Sequence, residues 1–508
     1  MCRTAIRGDI CIAKSKIRSL PNTSPRLKAI PASDPELHAK RPTVKVREGL
    51  PSLTMTAQQL AREIINELRR RGHQAYLAGG CVRDMLLGRE PKDYDVATDA
   101  TPDQNLAYFP KAIAVGAAFG VILVRKDDAD VEVATFRADH HYRDGRRPDR
   151  VTFTDSPEKD VQRRDFTING LLFDPEKNEY LDYVGGRDDL MAQRVRAIGV
   201  ASERFAEDKL RMLRAVRFAA RLGFEIEPET MRAIQQRAGE IHQVSAERIR
   251  DELNRILTEG GARRGFELLD ETGLLKTVLP EVAAMKGVEQ APEHHPEGDV
   301  WVHTLLMLEK LEHPSATLAL GTLLHDVGKP RTFQRLDRIR FNGHVEVGVR
   351  MAEDICKRLR YSTNETAQVM ELVGNHMKFG HVQQMRQSTL KRFLRIPHFD
   401  EHMELHRLDC LSSHRNLQNY DFVREKLAEA PEEVLRPPRL LTGDDLIAAG
   451  YPAGPVFAKI LSEVEDAQLE GRLTTKEEAL EYVSERYERG SGGQTKDAVS
   501  QNDSAARP

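Results

Sequence analysis

One stretch constrains the fold of this chain more than any other: Leu77-Ala-Gly-Gly-Cys-Val-Arg-Asp-Met-Leu-Leu-Gly-Arg-Glu-Pro-Lys-Asp-Tyr-Asp-Val-Ala-Thr98. It reads as a short apolar strand over Ala75–Ala78, a turn at Gly79 and Gly80, a short helix stopped by Gly88, and a second strand carrying Asp93 and Asp95. Adjacent glycines let backbone approach a bulky ligand, and the helix N-terminus that follows offers free N–H groups to phosphate. Arg83, on the first turn, can add charge-assisted hydrogen bonds to phosphate oxygens. Aspartates two apart on a strand share a face, and paired carboxylates beside a phosphate cradle are hard oxygen ligands of the kind Mg²⁺ takes. Two such ions can hold the attacking and leaving oxygens of an in-line phosphoryl displacement. A surface turn with two solvated aspartates is the plainer account of Asp-x-Asp alone. The joint presence of Gly79, Gly80, Arg83, Asp84, Asp93 and Asp95 on a strand–turn–helix–strand frame weighs against it.

Around this stretch the pattern is α/β, and after it helical. Thr56-x-x-Gln59 forms a capping box for a helix with the stripe Leu60, Ile64 and Leu68, ended by Gly72. Strands are expected at Gly120–Lys126 and Asp130–Phe136, with Val131 and Val133 on one face and Glu132 on the other. A charged, mobile loop is expected at 139–148, then a strand pair near Leu171–Phe173 and Tyr180–Asp182. Beyond Gly186 come helices at Glu207–Gly223, Pro228–Ala238, Ala246–Thr258 and Arg263–Thr272. After a break at Pro292–Gly298 there follow a second helical block over 299–428 and two or three short helices within 440–487. Residues 1–54 hold 11 basic and 4 acidic side chains without periodicity and are expected to be disordered, so that translation starting at Met55 is an alternative.

Composition narrows the function. A net charge of −3 with 31% charged residues excludes a globally basic nucleic-acid binder, so any RNA contact must come from a local positive surface. Apolar runs such as Thr304–Leu308 and Leu318–Leu324 fall short of the ~18 residues of a membrane span. Five cysteines without a C-x-x-C pair suit a reduced, cytoplasmic protein lacking disulfides and structural zinc.

The opening stretch resembles the head domain of the tRNA nucleotidyltransferase/poly(A) polymerase family, in the bacterial class II branch of the polymerase-β-like nucleotidyltransferases. Arg163-Arg-Asp-Phe-Thr-Ile-Asn169 resembles that family's motif B, and Glu207-Asp-x-x-Arg-x-x-Arg-x-x-Arg217 its nucleotide-recognition helix. The resemblance covers about residues 56–270. It implies that Gly79, Gly80, Arg83, Arg164, Asp208, Arg211, Arg214 and Arg217 contact the incoming nucleotide and that Asp93 and Asp95 bind Mg²⁺. Gly170 departs from the family's usual alanine, with no functional cost expected.

Without the family, Asp208, Arg211, Arg214 and Arg217 step by three on one expected helix, setting an acceptor beside a donor fork suited to the edge of a base. A solvated face with ion pairs is the alternative. Glu132 could supply a third catalytic carboxylate, activating a 3′-hydroxyl or completing a metal site; an exposed edge-strand glutamate is the competing reading.

The block 299–428 carries His303, His325-Asp326, His344, His376 and Asp409, several of them in apolar helices where unpaired polar groups are costly. Imidazole with carboxylate suits a divalent transition metal such as Mn, Ni, Co or Fe. The order resembles the HD-domain superfamily of metal-dependent phosphohydrolases; an inactive scaffold for RNA is the alternative. His294, His295, His381, His402, His406 and His414 are unassigned and expected mostly at the surface.

The expected fold is therefore α+β. A disordered extension (1–54) precedes a polymerase-β-like head of mixed sheet and helices (55–187). An all-α neck (188–285), an HD metal-binding body (286–428), a C-terminal helical segment (429–487) and a disordered tail (488–508) follow. The expected function is template-independent addition of CMP and AMP from CTP and ATP to RNA 3′ ends, foremost the CCA end of tRNA. A poly(A) polymerase or a partial CC- or A-adding enzyme is the near alternative. An HD phosphohydrolase with an RNA-binding head is the alternative of another class.

Overall fold

The computed structural model describes residues 55–116, 119–140, 150–293 and 295–488. The expected disordered extension, most of the loop 139–148 and nearly all of the tail lie outside those residues.

Thr56 caps the first helix, Ala57–Arg70, through a reciprocal box with Gln59, and its stripe of Leu60, Ile64 and Leu68 is buried against the sheet. The strands of the head are β1 (Ala75–Ala78), β2 (Asp95–Thr98), β3 (Ile113–Gly116), β4 (Val121–Lys126), β5 (Ala129–Thr135), β6 (Arg137–His140), β7 (Arg150–Phe153), β8 (Leu171–Asp174) and β9 (Glu179–Asp182). Seven form one sheet in the order β3-β4-β5-β2-β1-β8-β9, and β6 pairs with β7 apart from it. Only β2 and β5 run parallel, so the head sheet is mixed, as expected. β5 is interior, and its register sets Glu132 directly beside Asp95. The edge-strand reading of Glu132 is thereby corrected. Asp95 opens β2, whereas Asp93 sits in the bend before it, not on the strand.

The single helix expected over Glu207–Gly223 is two. Ala201–Glu207 ends, Asp208 turns extended (φ −138°, ψ 105°), and Leu210–Leu222 begins anew, closed by Gly223 in the left-handed region. The Asp208 carboxylate accepts the Leu210 N–H at 3.1 Å, a local bond that competes with helix continuation.

Helices Pro228–Arg237, Ala246–Thr258 and Ala262–Glu271 follow as read from the sequence. One buried apolar cluster then runs unbroken from Leu60 in the head through Leu213, Phe266 and Trp301 to Val373. The helices Gly443–Ala448, Val456–Leu469 and Lys476–Arg486 have their own small core, with Leu446, Ile460, Val464 and Val483 at its centre. Among the described residues no helix is long and apolar enough to cross a membrane.

Candidate active site and a histidine-lined pocket

A cavity of about 590 Å³ opens where the helix Gly80–Leu86, the segment 163–169 and the helix Leu210–Leu222 meet. Its lining includes Gly79, Gly80, Arg83, Asp93, Asp95, Arg164, Asp208, Arg211, Arg214 and Arg217. Every head residue singled out from the sequence except Glu132 therefore faces one space, and Glu132 adjoins it beside Asp95. Gly79 has φ +73°, and a Cβ there would stand 2.9 Å from Arg164 Nη1. At Gly80 the nearest atom to a Cβ would be Arg83 Nη2 at 3.7 Å, so its bareness keeps the cavity floor open to a ligand.

The three sequence segments are joined by one polar chain. Arg83 Nη1 donates to Asn169 Oδ1 (2.7 Å), Asn169 Nδ2 donates to Asp165 Oδ1 (3.0 Å), and Arg214 Nε and Nη2 donate to Asp165 Oδ2 (2.8 and 2.6 Å). Burial alone would raise the Asp165 carboxyl, but Arg214 and Asn169 hold it down at about 2. Phe218 lies under three guanidiniums, with Arg83, Arg214 and Arg217 centred 5.4, 5.3 and 4.4 Å from its ring.

Several expected pairings are replaced by others. Asp208 does not pair with Arg211; its Oδ2 takes Arg248 Nη2 at 2.9 Å from the helix Ala246–Thr258. Arg211 instead donates to Glu207 (2.9 Å) and to the carbonyls of Arg204 and Arg163 (both 3.1 Å). Arg217 does not reach outward; it is buried against Glu252 (2.7 Å) and Glu259 (3.2 Å). Arg83 is likewise buried, held by Asp84 at 2.8 Å. Arg164 is clamped by Asp160, whose other oxygen takes Arg163. Asp165, Asn169, Asp160, Arg248 and Glu252 had been passed over. Only Arg248 and Glu252 lie four apart within one helix, where that spacing puts two polar groups on one face; the contacts of Asp160, Asp165 and Asn169 depend on the turn at 163–166, which no local pattern gives.

The cavity is rich in arginine, a lining matched to polyphosphate. On its carboxylate side, burial and the adjacent Glu132 push Asp95 up to about 6, against the pull of Arg164. Two carboxylates crowded in this way are relieved by a divalent cation, so Asp93, Asp95 and Glu132 fit one.

The second pocket lies in the helical body. Gly328 lets two segments close tightly, since a Cβ there would stand 2.7 Å from the Gly348 backbone nitrogen. His325, His344 and His376 thereby gather round Asp326. Their Nε2 atoms lie 3.2, 3.8 and 3.7 Å from its carboxylate oxygens. His303 Nε2 lies 3.2 Å from Asp409 Oδ1. All six expected residues converge, in two groups that could each hold a metal: His303, His325 and Asp409, and Asp326, His344 and His376.

The chemistry of the donors fits a metal. Nδ1 of His325, His344 and His376 contacts the backbone carbonyl three residues upstream, at 2.8, 2.9 and 2.7 Å. As N–H donors there, the rings keep an Nε2 lone pair, and all three buried Nε2 atoms lack a hydrogen-bond partner. Burial pushes His376 down to about 4, leaving it neutral as a ligand must be. Burial would also lower His303, but Asp409 and Glu297 hold it up at about 9, so a cation would displace a proton there. Lys329 forms an ion pair with Asp326 at 2.7 Å.

His295 is half-buried beside this pocket, and His402 and His406 are buried, so the surface expectation is corrected for all three. His406 stacks on Phe379 with ring centres 4.3 Å apart. His402 is buried and stacks on Phe399 with ring centres 6.1 Å apart, neither nitrogen partnered. His294 lies outside the described residues.

Three family models match successive stretches of the chain. The family model described as Poly A polymerase head domain matches residues 75–196. Those described as probable RNA and SrmB-binding site of polymerase A and as HD domain match 223–286 and 299–396. A CCA-adding enzyme of Geobacillus stearothermophilus is 44% identical over 225 residues, 44% of this chain and 55% of that protein. The chain thus spans about half the length of such curated relatives. A CCA-adding enzyme of Lactobacillus gasseri is 30% identical over 433 residues, covering 84% of this chain and 96% of its own. Among solved structures, Bacillus stearothermophilus CCA-adding enzyme in complex with CTP superposes with a TM-score of 0.67 at 26% identity, over 88% of this chain and 98% of that one.

Proposed function

The chain belongs to the CCA-adding enzyme and poly(A) polymerase family of nucleotidyltransferases, and from that premise we propose that it adds CMP and AMP, from CTP and ATP, to the CCA end of tRNA without a template. The observation that carries this reading is the polar chain Arg83–Asn169–Asp165–Arg214, which braces the arginine-rich wall of a cavity whose opposite side holds Asp93 and Asp95. A relative of this fold holds CTP.

In this reading the triphosphate lies along Gly79, Gly80 and Arg164. The 3′-oxygen of the RNA forms a bond to the α-phosphorus, the bond to the β-phosphate oxygen breaks, and pyrophosphate leaves. Glu132, beside Asp95, receives the proton of the attacking hydroxyl. Asp93 and Asp95 would hold Mg²⁺, which would neutralise charge on the phosphoryl oxygens. Asp208 accepts from the exocyclic amino group of cytosine or adenine, and the N–H groups Arg211 keeps to spare donate to the ring edge. RNA follows the helical neck through phosphate contacts that weaken with salt. The cytoplasm is the compartment proposed; Cys81, Cys356 and Cys410 are free thiols.

The test is to sequence the 3′ ends made from tRNA transcripts lacking CCA, CA or A. Completion of CCA from all three is expected. Oligoadenylate, or arrest after CC, would replace this reading with a poly(A) or partial-adding one.

A second activity is proposed for the histidine pocket, on the unpartnered Nε2 atoms that converge there. His303, His325, Asp326, His344, His376 and Asp409 would bind a divalent transition metal (Mn, Ni, Co or Fe) and hydrolyse a phosphoester.

A further inference from the structure

Three of the pocket's four histidines aim Nε2 inward by resting Nδ1 on the carbonyl three residues back. His303 does not do so; the matching carbonyl, Val300, takes the Thr304 hydroxyl at 2.9 Å. His303 Nδ1 faces the carboxylate of Glu297 instead, 2.7 Å from Oε1, while its Nε2 faces Asp409. The Nδ1 contact is close but not linear, since neither ring nitrogen of His303 meets hydrogen-bond geometry. Glu297 is almost wholly enclosed, and its Oε2 has no partner. The same Oε1 also meets His295 Nδ1 at 2.9 Å.

A neutral imidazole has one N–H and one lone pair. His303 therefore cannot ligate metal with His295 and Glu297 through Nδ1 and with His325 and Asp409 through Nε2 at once. We propose that Glu297 is a positioning residue for the histidine pocket: it takes the Nδ1–H of His303 in place of a backbone carbonyl and commits Nε2 to the metal shared with His325 and Asp409. A carboxylate in that place also makes the imidazole a stronger donor than a carbonyl does. This inference rests on the reading of the pocket as a metal centre.

The test uses the full-length chain and Zn²⁺ alone, with Asp409→Ala, which removes a ligand of the same group, as the blank for zinc held elsewhere. Wild type is expected to bind more zinc than the blank, and ¹⁵N-histidine spectra of the loaded protein to show His303 bound through Nε2 with a proton on Nδ1. Glu297→Gln, whose amide can turn its NH₂ toward Nδ1 and favour the wrong tautomer, should lose about 10- to 100-fold in zinc affinity with an unchanged melting temperature. If wild type binds no more zinc than the blank, the metal-centre reading falls and this inference with it. If wild type binds but Glu297→Gln matches its affinity, or His303 is zinc-bound through Nδ1 in wild type, only the role of Glu297 is overturned.

Discussion

Arg248 and Asp208 meet 2.9 Å apart across the break between the helices Ala201–Glu207 and Leu210–Leu222. Without Arg248, the carboxylate proposed to read the base would be held only by the Leu210 N–H.

Arg248→Ala is accordingly expected to act through Asp208. A charge-assisted bond is worth about 1.5–3 kcal/mol, so CTP and ATP use should fall at least ~10-fold and discrimination against UTP and GTP should blur. Arg211→Ala should move selectivity in the same direction. Lys92→Ala, removing an exposed cation at the cavity rim, should slow all four nucleotides about equally. Single-turnover incorporation of each nucleotide on one primer RNA checks this; wild-type selectivity in Arg248→Ala would remove it from base recognition.

Asp93→Ala and Asp95→Ala are each expected to reduce nucleotide addition by more than ~100-fold while the protein stays folded. Asp95 begins an interior strand but points into the cavity, and Asp93 is exposed in the preceding bend, so neither supports the core. Circular dichroism alongside an incorporation assay separates the two effects. Near-normal addition by either folded variant would end the assignment.

A pH signature is expected from Asp165. Its carboxyl is held at about 2, below the ordinary 3.8, so the folded state favours the ionised form. The resulting stabilisation, about 2–3 kcal/mol, is complete above pH ~4 and fades as pH falls toward 2. Urea midpoints of wild type and Asp165→Asn should differ by a constant gap from pH 6 to 4 and converge below that. Parallel curves throughout would show that the Arg214 contact contributes nothing through ionisation.

Gly170 marks a place where the family's usual residue does not suit this chain. A Cβ there would lie 2.8 Å from Val184 Cγ2, 3.1 Å from Val161 Cγ1 and 3.2 Å from Ile198 Cδ1. Gly170→Ala is therefore expected to destabilise by about 1–3 kcal/mol, as overpacking does, with nucleotide affinity little changed. A chemical-denaturation midpoint equal to wild type would mean that the three side chains yield without cost.

Much of this was readable before any coordinates. The capping box at Thr56, the strand–turn–helix at Ala75–Gly88 and the helical body depend on local periodicity and turn chemistry, which sequence carries directly. The convergence of His303 through Asp409 was also visible, because polar residues in apolar helices need partners. What escaped was partner choice among arginines. Nothing local says that Asp208 joins Arg248, 40 residues on, and not Arg211, three residues on. That choice depends on a helix break made by Asp208's own side chain. Glu132 stayed open between a third carboxylate and an edge-strand residue because strand order in a sheet is a long-range property, fixed here by the parallel pairing of β2 with β5. Glu297 was invisible for a similar reason: its approach to His303 Nδ1 depends on how the chain turns into the helix Val300–Glu309.

The apolar cluster that runs from Leu60 to Val373 bears on how such a chain could have been assembled. The families matched by its parts suggest modules joined end to end, yet the neck and the histidine body share one interior. Tyr361 reaches back to Asn254 at 2.5 Å, Arg358 to Glu281 at 2.6 Å and Arg263 forward to Glu309 at 2.8 Å. A gene cut between residues 286 and 299 would yield two proteins, each with a raw greasy face and stranded charges. Parting the two pockets would therefore mean rebuilding that seam on both sides.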